Sequence, residues 1–266
     1  MYFRATMKQV AWITGASSGI GEEICRQLAG KGLKLILSSR SEEKLLALKK
    51  ELPNPEEHLV IPMDLEHSSN FPDLAKQALA EMKRIDYLYN CGGLSQRAEA
   101  SETSLEVDRR IMEINYFGTV ALTKAVLPYM QAQKSGHIIA ISSIAGKFGF
   151  YLRSAYSASK HAIQGFFESL LLEEAKNNIS VTIAYPGKIN TPISMSALGK
   201  DGNAHGEMDH NQATGMPVEE CVSILLKAVD KKKKEILIGN KEINAVTLKR
   251  FFPKLFWKII AKQSAT

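Results

Sequence analysis

Short apolar runs alternate along this chain with longer segments in which apolar residues recur every three or four positions. That alternation limits the possible folds more than any other feature. The first run covers 9–14 (QVAWIT), and EEICRQLAGKG, soon after it, has helical spacing. Further runs fall at 33–38, 58–62, 86–91, 136–142, 180–185 and 235–239, with helical patterns between most of them. Strands separated by helices cannot pair as hairpins, so they lie parallel while each helix crosses back over the sheet. The expectation is an α/β fold with a doubly wound parallel sheet of about seven strands. Hydrophobic residues make up 45% of the 266 positions, and no repeat or linker divides them, so one domain over 8–239 is expected, with an extension at 240–266.

Between the first run and its helix stands GASSGIG, with Gly15, Gly19 and Gly21 in a G-x-x-x-G-x-G spacing. Residues without a Cβ let the backbone turn tightly and bring helix N–H groups against a pyrophosphate. At the end of the second strand, NAD-selecting folds carry an acidic residue for the ribose 2′-hydroxyl; here Ser39 takes that place. Arg40 beside it suits a 2′-phosphate, which favours NADP(H) over NAD(H). Ligands of such sheets gather at the carboxyl ends of the strands, so Gly15, Arg40, Asp64 and Asn90 should surround one crevice. Ser69 or Asn70 is the expected cap of the helix after the third strand.

Residues 142–160 hold Tyr156 and Lys160 four apart on one expected helix, 154–176, where they are spatial neighbours. A phenol titrates near ~10, and a neighbouring cation stabilises its ionised form, making it a usable acid or base at neutral pH. Ser143 falls just past the fifth strand, at the same edge. Asn115 sits among apolar residues of a long helical region, 105–133, where a buried amide must be hydrogen-bonded.

Together these motifs resemble the short-chain dehydrogenase/reductase superfamily over roughly 8–239. TGASSGIG at 14–21, Asp64-Leu65, NCGG at 90–93, Asn115, Ser143, YSASK at 156–160 and PGKINT at 186–191 occur in the family's order and at its spacings. The resemblance implies a Rossmann-type fold. It also implies that Tyr156 exchanges a proton with the substrate oxygen while Ser143 hydrogen-bonds that oxygen. Lys160 would lower the tyrosine pKa and hold the nicotinamide ribose, and Asn115 would support a water-linked proton relay. Ser143 is preferred to Ser142 because the family's serine lies thirteen residues before its tyrosine. Implied cofactor contacts, besides Tyr156 and Lys160, are Gly15, Ser17, Ser18, Gly19, Ile20, Gly21, Ser39, Arg40, Asp64, Leu65, Asn90, Gly92, Pro186, Gly187, Ile189 and Thr191. The family's usual NNAG reads NCGG here, with Cys91 and Gly92 as the departure.

The implied function is an NADP(H)-dependent oxidoreductase interconverting a secondary alcohol and a ketone or aldehyde on a hydrophobic substrate, steroid-, retinoid- or lipid-like. A homodimer or homotetramer is implied as well. A 3-oxoacyl-carrier-protein reductase is an alternative, but that group usually ends soon after its last strand and this chain continues 27 residues past Gly239. A non-catalytic NADP-binding regulator would not need Asn115, Ser143, Tyr156 and Lys160 intact.

Two segments are left for the substrate side. Residues 192–217 are rich in Gly, Asn, Asp, Ser and Met and are expected to form a substrate lid or a linker. Residues 245–262 hold five basic residues, no acidic ones and nine large apolar ones. They suit an interfacial helix on anionic lipid, or equally an apolar face packed on the domain or a partner subunit. The net charge of +6 resides largely in lysine runs without a nucleic-acid recognition motif. Cys25, Cys91 and Cys221 have neither disulfide nor metal-ligand spacing. With no long apolar run before the first strand, the expected location is cytoplasmic, with peripheral membrane contact through 245–262 as an option.

Overall fold

The computed structural model describes residues 8–262. Its seven strands form one parallel sheet in the order β3-β2-β1-β4-β5-β6-β7. β1 (Val10–Thr14), β2 (Lys34–Ser38) and β3 (Leu59–Val60) run outward to one edge, crossed by α1 (Gly19–Gly30) and α2 (Glu42–Glu51). After α3 (Phe71–Met82) the chain returns to place β4 (Tyr87–Asn90) on the other side of β1, which makes the β1/β4 boundary the switch point where ligands gather. α4 (Leu105–Met112), α5 (Thr119–Gln133), β5 (Gly136–Ile141), α6 (Ser154–Glu173), β6 (Ile179–Pro186), α7 (His210–Ala213), α8 (Val218–Asp230) and β7 (Glu235–Ile238) complete the winding.

Two cores sandwich the sheet. Trp12, Ile36, Leu88, Ile138 and Val181 face Phe71, Leu122, Val126, Ile163 and Phe167 of α3, α5 and α6. Ala11, Ile13, Leu35, Leu37 and Ile139 face Ile24, Leu28, Leu45, Leu48 and Leu225 of α1, α2 and α8. Strands buried on both faces need no polar alternation, which is why they read as continuous apolar runs.

Four local expectations change. β3 is shorter than 58–62, because His58 Nδ1 rather than a ladder carbonyl accepts from Leu35 N, at 3.2 Å. α3 has no side-chain cap from Asn70; a short turn, Ser68–Asn70, leads into it, and Pro72 occupies its first turn, where no N–H is needed. The region 105–133 is not one helix, since a π-helical stretch, Glu113–Gly118, widens it around Asn115. The helix bearing Tyr156 stops at Glu173, and a separate turn, Ala175–Asn177, follows.

Residues 192–217 are folded rather than an open linker. They hold the turn Pro192–Ser194, α7, and bridges from Leu198 to Gln96 and from Met216 to Ile189. The extension forms α9 (Asn244–Phe251) and α10 (Pro253–Ile260), with Pro253 opening the second helix. Part of it packs on the domain: Phe256 is buried and meets Phe148 edge to face, 5.2 Å between ring centroids. Tyr151 Oη donates to Ala261 O at 3.3 Å, and Lys249 Nζ to Lys147 O at 2.9 Å. Among the described residues no helix is long and apolar enough to cross a membrane.

Candidate active site

A cavity of about 1420 Å³ opens at the carboxyl edge of the sheet. Its near wall is the turn from β1 into α1. Gly15 and Gly19 have φ of +66° and +56°, a region that disfavours side chains, and a Cβ on Gly21 would come within 2.3 Å of Gly15 O. The chain therefore folds back on itself in a way only glycine permits. Ser18 does not cap α1 with its side chain, so the first-turn N–H groups of a 12-residue helix stay open beside the cavity. That arrangement fits a pyrophosphate.

The NCGG loop lies close against β1 and Leu65. Thr14 Oγ1 accepts from both Cys91 N and Gly92 N at 3.0 Å, drawing the loop onto β1. A Cβ on Gly92 would stand 2.5 Å from Leu65 Cδ1, the movable tip of that side chain, and 3.4 Å or more from everything else. Burial pushes the Cys91 thiol well up, so it lines the cavity in its neutral form.

Two adjacent serines follow β5 and separate in role. Ser142 Oγ donates to Lys160 O at 3.1 Å, tying α6 to the strand end. Ser143 Oγ accepts from Ala145 N at 3.1 Å, donates to Pro186 O at 3.4 Å, and is hydrogen-bonded with the Tyr156 phenol. Gln96 fixes the start of α6, its Oε1 accepting from Ala155 N at 2.8 Å and from Tyr156 N at 3.4 Å.

The phenol is held above its ordinary pKa by burial. Opposing that, in decreasing order, are the hydrogen bond with Ser143, the Arg153 charge and the Arg97 charge. Lys160 is not among those groups. Its Nζ lies 5.8 Å from the Tyr156 ring centroid and donates to Ile141 O at 2.9 Å, and burial pushes it down to about 8. The spacing placed the ammonium beside the phenol; the structure turns it instead towards the β5 end and Gly93.

Asn115 is fully buried. Its Oδ1 accepts from Leu94 N at 2.7 Å, and Nδ2 donates to Leu94 O at 2.9 Å and Ser159 Oγ at 3.0 Å. The side chain thus clamps the loop after β4 to α6, the structural task expected of a core amide.

Of the residues singled out from the sequence, Gly15, Ser18, Gly19, Ile20, Gly21, Gly92, Ser143, Tyr156, Lys160, Pro186, Gly187, Ile189 and Thr191 line the cavity. Ser17, Ser39, Arg40, Asp64, Leu65, Asn90 and Asn115 do not. Ser39, exposed Arg40 and Asp64 instead continue the same edge beyond β2, where Met63 N donates to Ser39 O at 3.0 Å. Ser39 Oγ and Asn90 Oδ1 are buried without a hydrogen-bond partner, and no acidic residue stands at the β2 end. An orphaned hydroxyl beside an exposed guanidinium fits the 2′ side of a dinucleotide.

Sequence reading missed Gln96, Arg97 and Asp209. Arg97 and Asp209 are both buried and joined by an ion pair that Arg153 also enters, Nη2 to Oδ2 at 3.2 Å. Arg153 stands at the start of α6, three residues before Tyr156, and that closeness in sequence was a usable signal; the 112-residue separation of Arg97 from Asp209 was not.

Sheet order, glycine turn and facing tyrosine together define a dinucleotide-binding α/β protein. Residues 9–201 match the short chain dehydrogenase family. Dehydrogenase/reductase SDR family member 7B of Mus musculus is 41% identical over 261 residues, spanning 96% of this chain and 81% of the mouse protein. The chain belongs to the short-chain dehydrogenase/reductase family of oxidoreductases. Among solved structures, the closed form of serine dehydrogenase complexed with NADP+ is 27% identical, with a TM-score of 0.78 over 87% of this chain and 95% of that one. A family member from Burkholderia phymatum in complex with NAD shares the fold, with 22% identity and a TM-score of 0.82 over 93% and 95% of the two chains.

Proposed function

We propose that this chain is an NADP(H)-dependent oxidoreductase that interconverts an alcohol and a ketone or aldehyde on a hydrophobic substrate. The observation that carries the reading is that Tyr156, hydrogen-bonded with Ser143, lines the same cavity as the open first turn of α1. The nicotinamide, when bound, supplies or accepts the hydride at carbon. Tyr156 gives the proton to the substrate oxygen or takes it away, and Ser143 holds that oxygen in line. Lys160 holds the nicotinamide ribose and refills the tyrosine proton through a relay that Asn115 positions. Glycines 15, 19 and 21 and Ser18 seat the pyrophosphate, and Thr191 and Ile189 bound the nicotinamide side.

Preference for NADP(H) is supported by Ser39 and Arg40 at the β2 end, where a carboxylate would repel a 2′-phosphate. A homodimer or homotetramer through α4, α5 and α6 is supported by exposed Leu105, Phe117 and Leu172. Peripheral contact with anionic lipid is supported by exposed Phe251, Leu255 and Trp257 among the lysines of α9 and α10.

Turnover of NADPH and NADH against a panel of ketones and aldehydes, with Tyr156→Phe beside the parent chain, tests the reading. The variant should lose at least about 100-fold in kcat while binding NADPH unchanged, as removal of a general acid does. Carbonyl reduction by Tyr156→Phe at the parent rate would refute it.

A further inference from the structure

Where the chain leaves β6, residues 186–191 line the cavity with every side but Asn190. Beyond the strand end each backbone amide must find its own partner. Gly187 N donates to Ile238 O at 2.7 Å, the last bond to β7. Asn190 N donates to Met216 O at 2.9 Å, and Lys188 O accepts from Met216 N at 2.8 Å. Lys188 N, between them, is taken by a side chain: it donates to Glu242 Oε1 at 2.9 Å, 54 residues further on in the short turn Lys241–Ile243. Of the amides at 187–190, Ile189 N has no protein partner among the described residues, and Ile189 is a buried part of the cavity lining.

The Glu242 carboxylate occupies a slot that two strand-end glycines leave open. A Cβ on Gly187 would come within 2.4 Å of its Oε1, and one on Gly239 within 2.6 Å. The same oxygen also accepts from Asn240 N at 3.2 Å, so one atom joins the segment after β6 to the segment after β7. A carboxylate holds a backbone N–H more firmly than a neutral acceptor does, because the bond is charge-assisted. Glu242 is half-buried, lines the cavity and stands two residues before α9. From there the chain goes on to supply Leu248, Phe252, Ile259 and Ile260, which make one side of the cavity apolar. The extension therefore begins at a residue that grips the run 187–189, a contact that its own apolar helices do not make.

We propose that Glu242 is a positioning residue for the cofactor. By fixing the peptide between Gly187 and Lys188 it holds the run 187–189 in the shape that receives the nicotinamide end of a bound dinucleotide. The proposal rests on the oxidoreductase reading above, in which Ile189 and Thr191 bound the nicotinamide side.

Calorimetric titration of the full chain with NADPH, and with ADP-ribose 2′-phosphate, which lacks the nicotinamide ring, tests it without turnover. Glu242→Ala strands Lys188 N and should weaken NADPH about tenfold or more while changing the fragment less than about twofold. Glu242→Gln keeps an acceptor oxygen of the same reach and should hold NADPH to within about threefold of the parent chain. Lys249→Met cuts a different tie of the extension, the one to Lys147 O, and should leave NADPH affinity unchanged. Thermal melting checks that each variant folds. Equal losses for NADPH and the fragment, a Gln variant as weak as the Ala variant, or a Lys249→Met loss that matches Glu242→Ala overturns the proposal. Hydrogen exchange in the dinucleotide-free chain gives a second readout: the peptide containing Lys188 should lose protection in Glu242→Ala and keep it in Glu242→Gln. Unchanged protection in Glu242→Ala overturns the proposal too. A parent chain that binds neither NADPH nor the fragment sinks the oxidoreductase reading, and the exchange result then decides alone whether Glu242 holds the run.

Discussion

Replacing Asp209 by Asn is the sharpest test of how residues 192–217 are held. Asp209 is 1% exposed at its side chain and Arg97 2%, while Arg153 is 12% exposed. The amide keeps the shape of the carboxylate but removes the only negative charge in the triad, and its NH2 group presents donors to donors. Breaking a buried ion pair from one side typically costs about 3–5 kcal/mol, because the remaining charge stays buried and uncompensated. Two guanidiniums are left here, which puts the loss towards the upper figure. For a chain of this size each kcal/mol lowers the melting temperature by roughly 2–4 °C, so a fall of about 6–20 °C is expected. If only residues 192–217 open, the loss appears instead as faster proteolysis within that segment at an unchanged melting temperature. Removing Arg153 as well, in an Asp209→Asn/Arg153→Met pair, should restore part of the stability, since one of the stranded cations goes. Urea melts and limited proteolysis that both match the parent chain would refute the triad as the anchor.

Two other expectations follow from the same geometry. Burial pushes His137 down to about 4 from an ordinary 6.5, so between those values the unfolded chain holds a proton that the folded chain does not. Stability from this group is complete above pH ~6.5 and falls by up to about 3 kcal/mol as pH drops to ~4. His137→Gln, which can still bond Thr182 Oγ1, should flatten that slope in urea melts at pH 7 and 4.5. In vesicle co-sedimentation the full chain should pellet with anionic but not zwitterionic lipid. Lys254→Glu with Lys258→Glu should leave it in the supernatant, at about 1 kcal/mol per cation near the surface; equal partitioning of the two would count against lipid contact.

Most of the architecture was legible because strands buried on both faces and amphipathic helices announce themselves in local pattern. The glycine turn was legible too, since Gly15, Gly19 and Gly21 are required by backbone geometry that a short string of sequence records. What escaped was set by contacts between distant segments. Nothing near residue 115 announces the π-helical widening, where Gly118 lies so close to Leu65 O that an added Cβ would come within 2.2 Å. Spacing alone paired Lys160 with the phenol, yet the Ile141 carbonyl at a strand end decides where that ammonium points. The Arg97–Asp209 pair was invisible for the same reason: each residue reads as an ordinary surface charge until the fold buries them together.

The apolar wall formed by Leu248, Phe252, Ile259 and Ile260 has a consequence for how such a cavity can diverge. Phe256 packs it on Phe148, and hydrogen bonds join Tyr151 to Ala261 and Lys249 to Lys147, all in the loop after β5, while the β1–α1 turn that faces it is built from a distant stretch of chain. The two halves of the site are therefore encoded in separable stretches of chain. Substitutions in α9 and α10 can reshape that wall of the cavity without disturbing a single glycine of the β1–α1 turn. The glycine turn and the two short helices at the cavity mouth thus answer to different stretches of sequence and can drift independently.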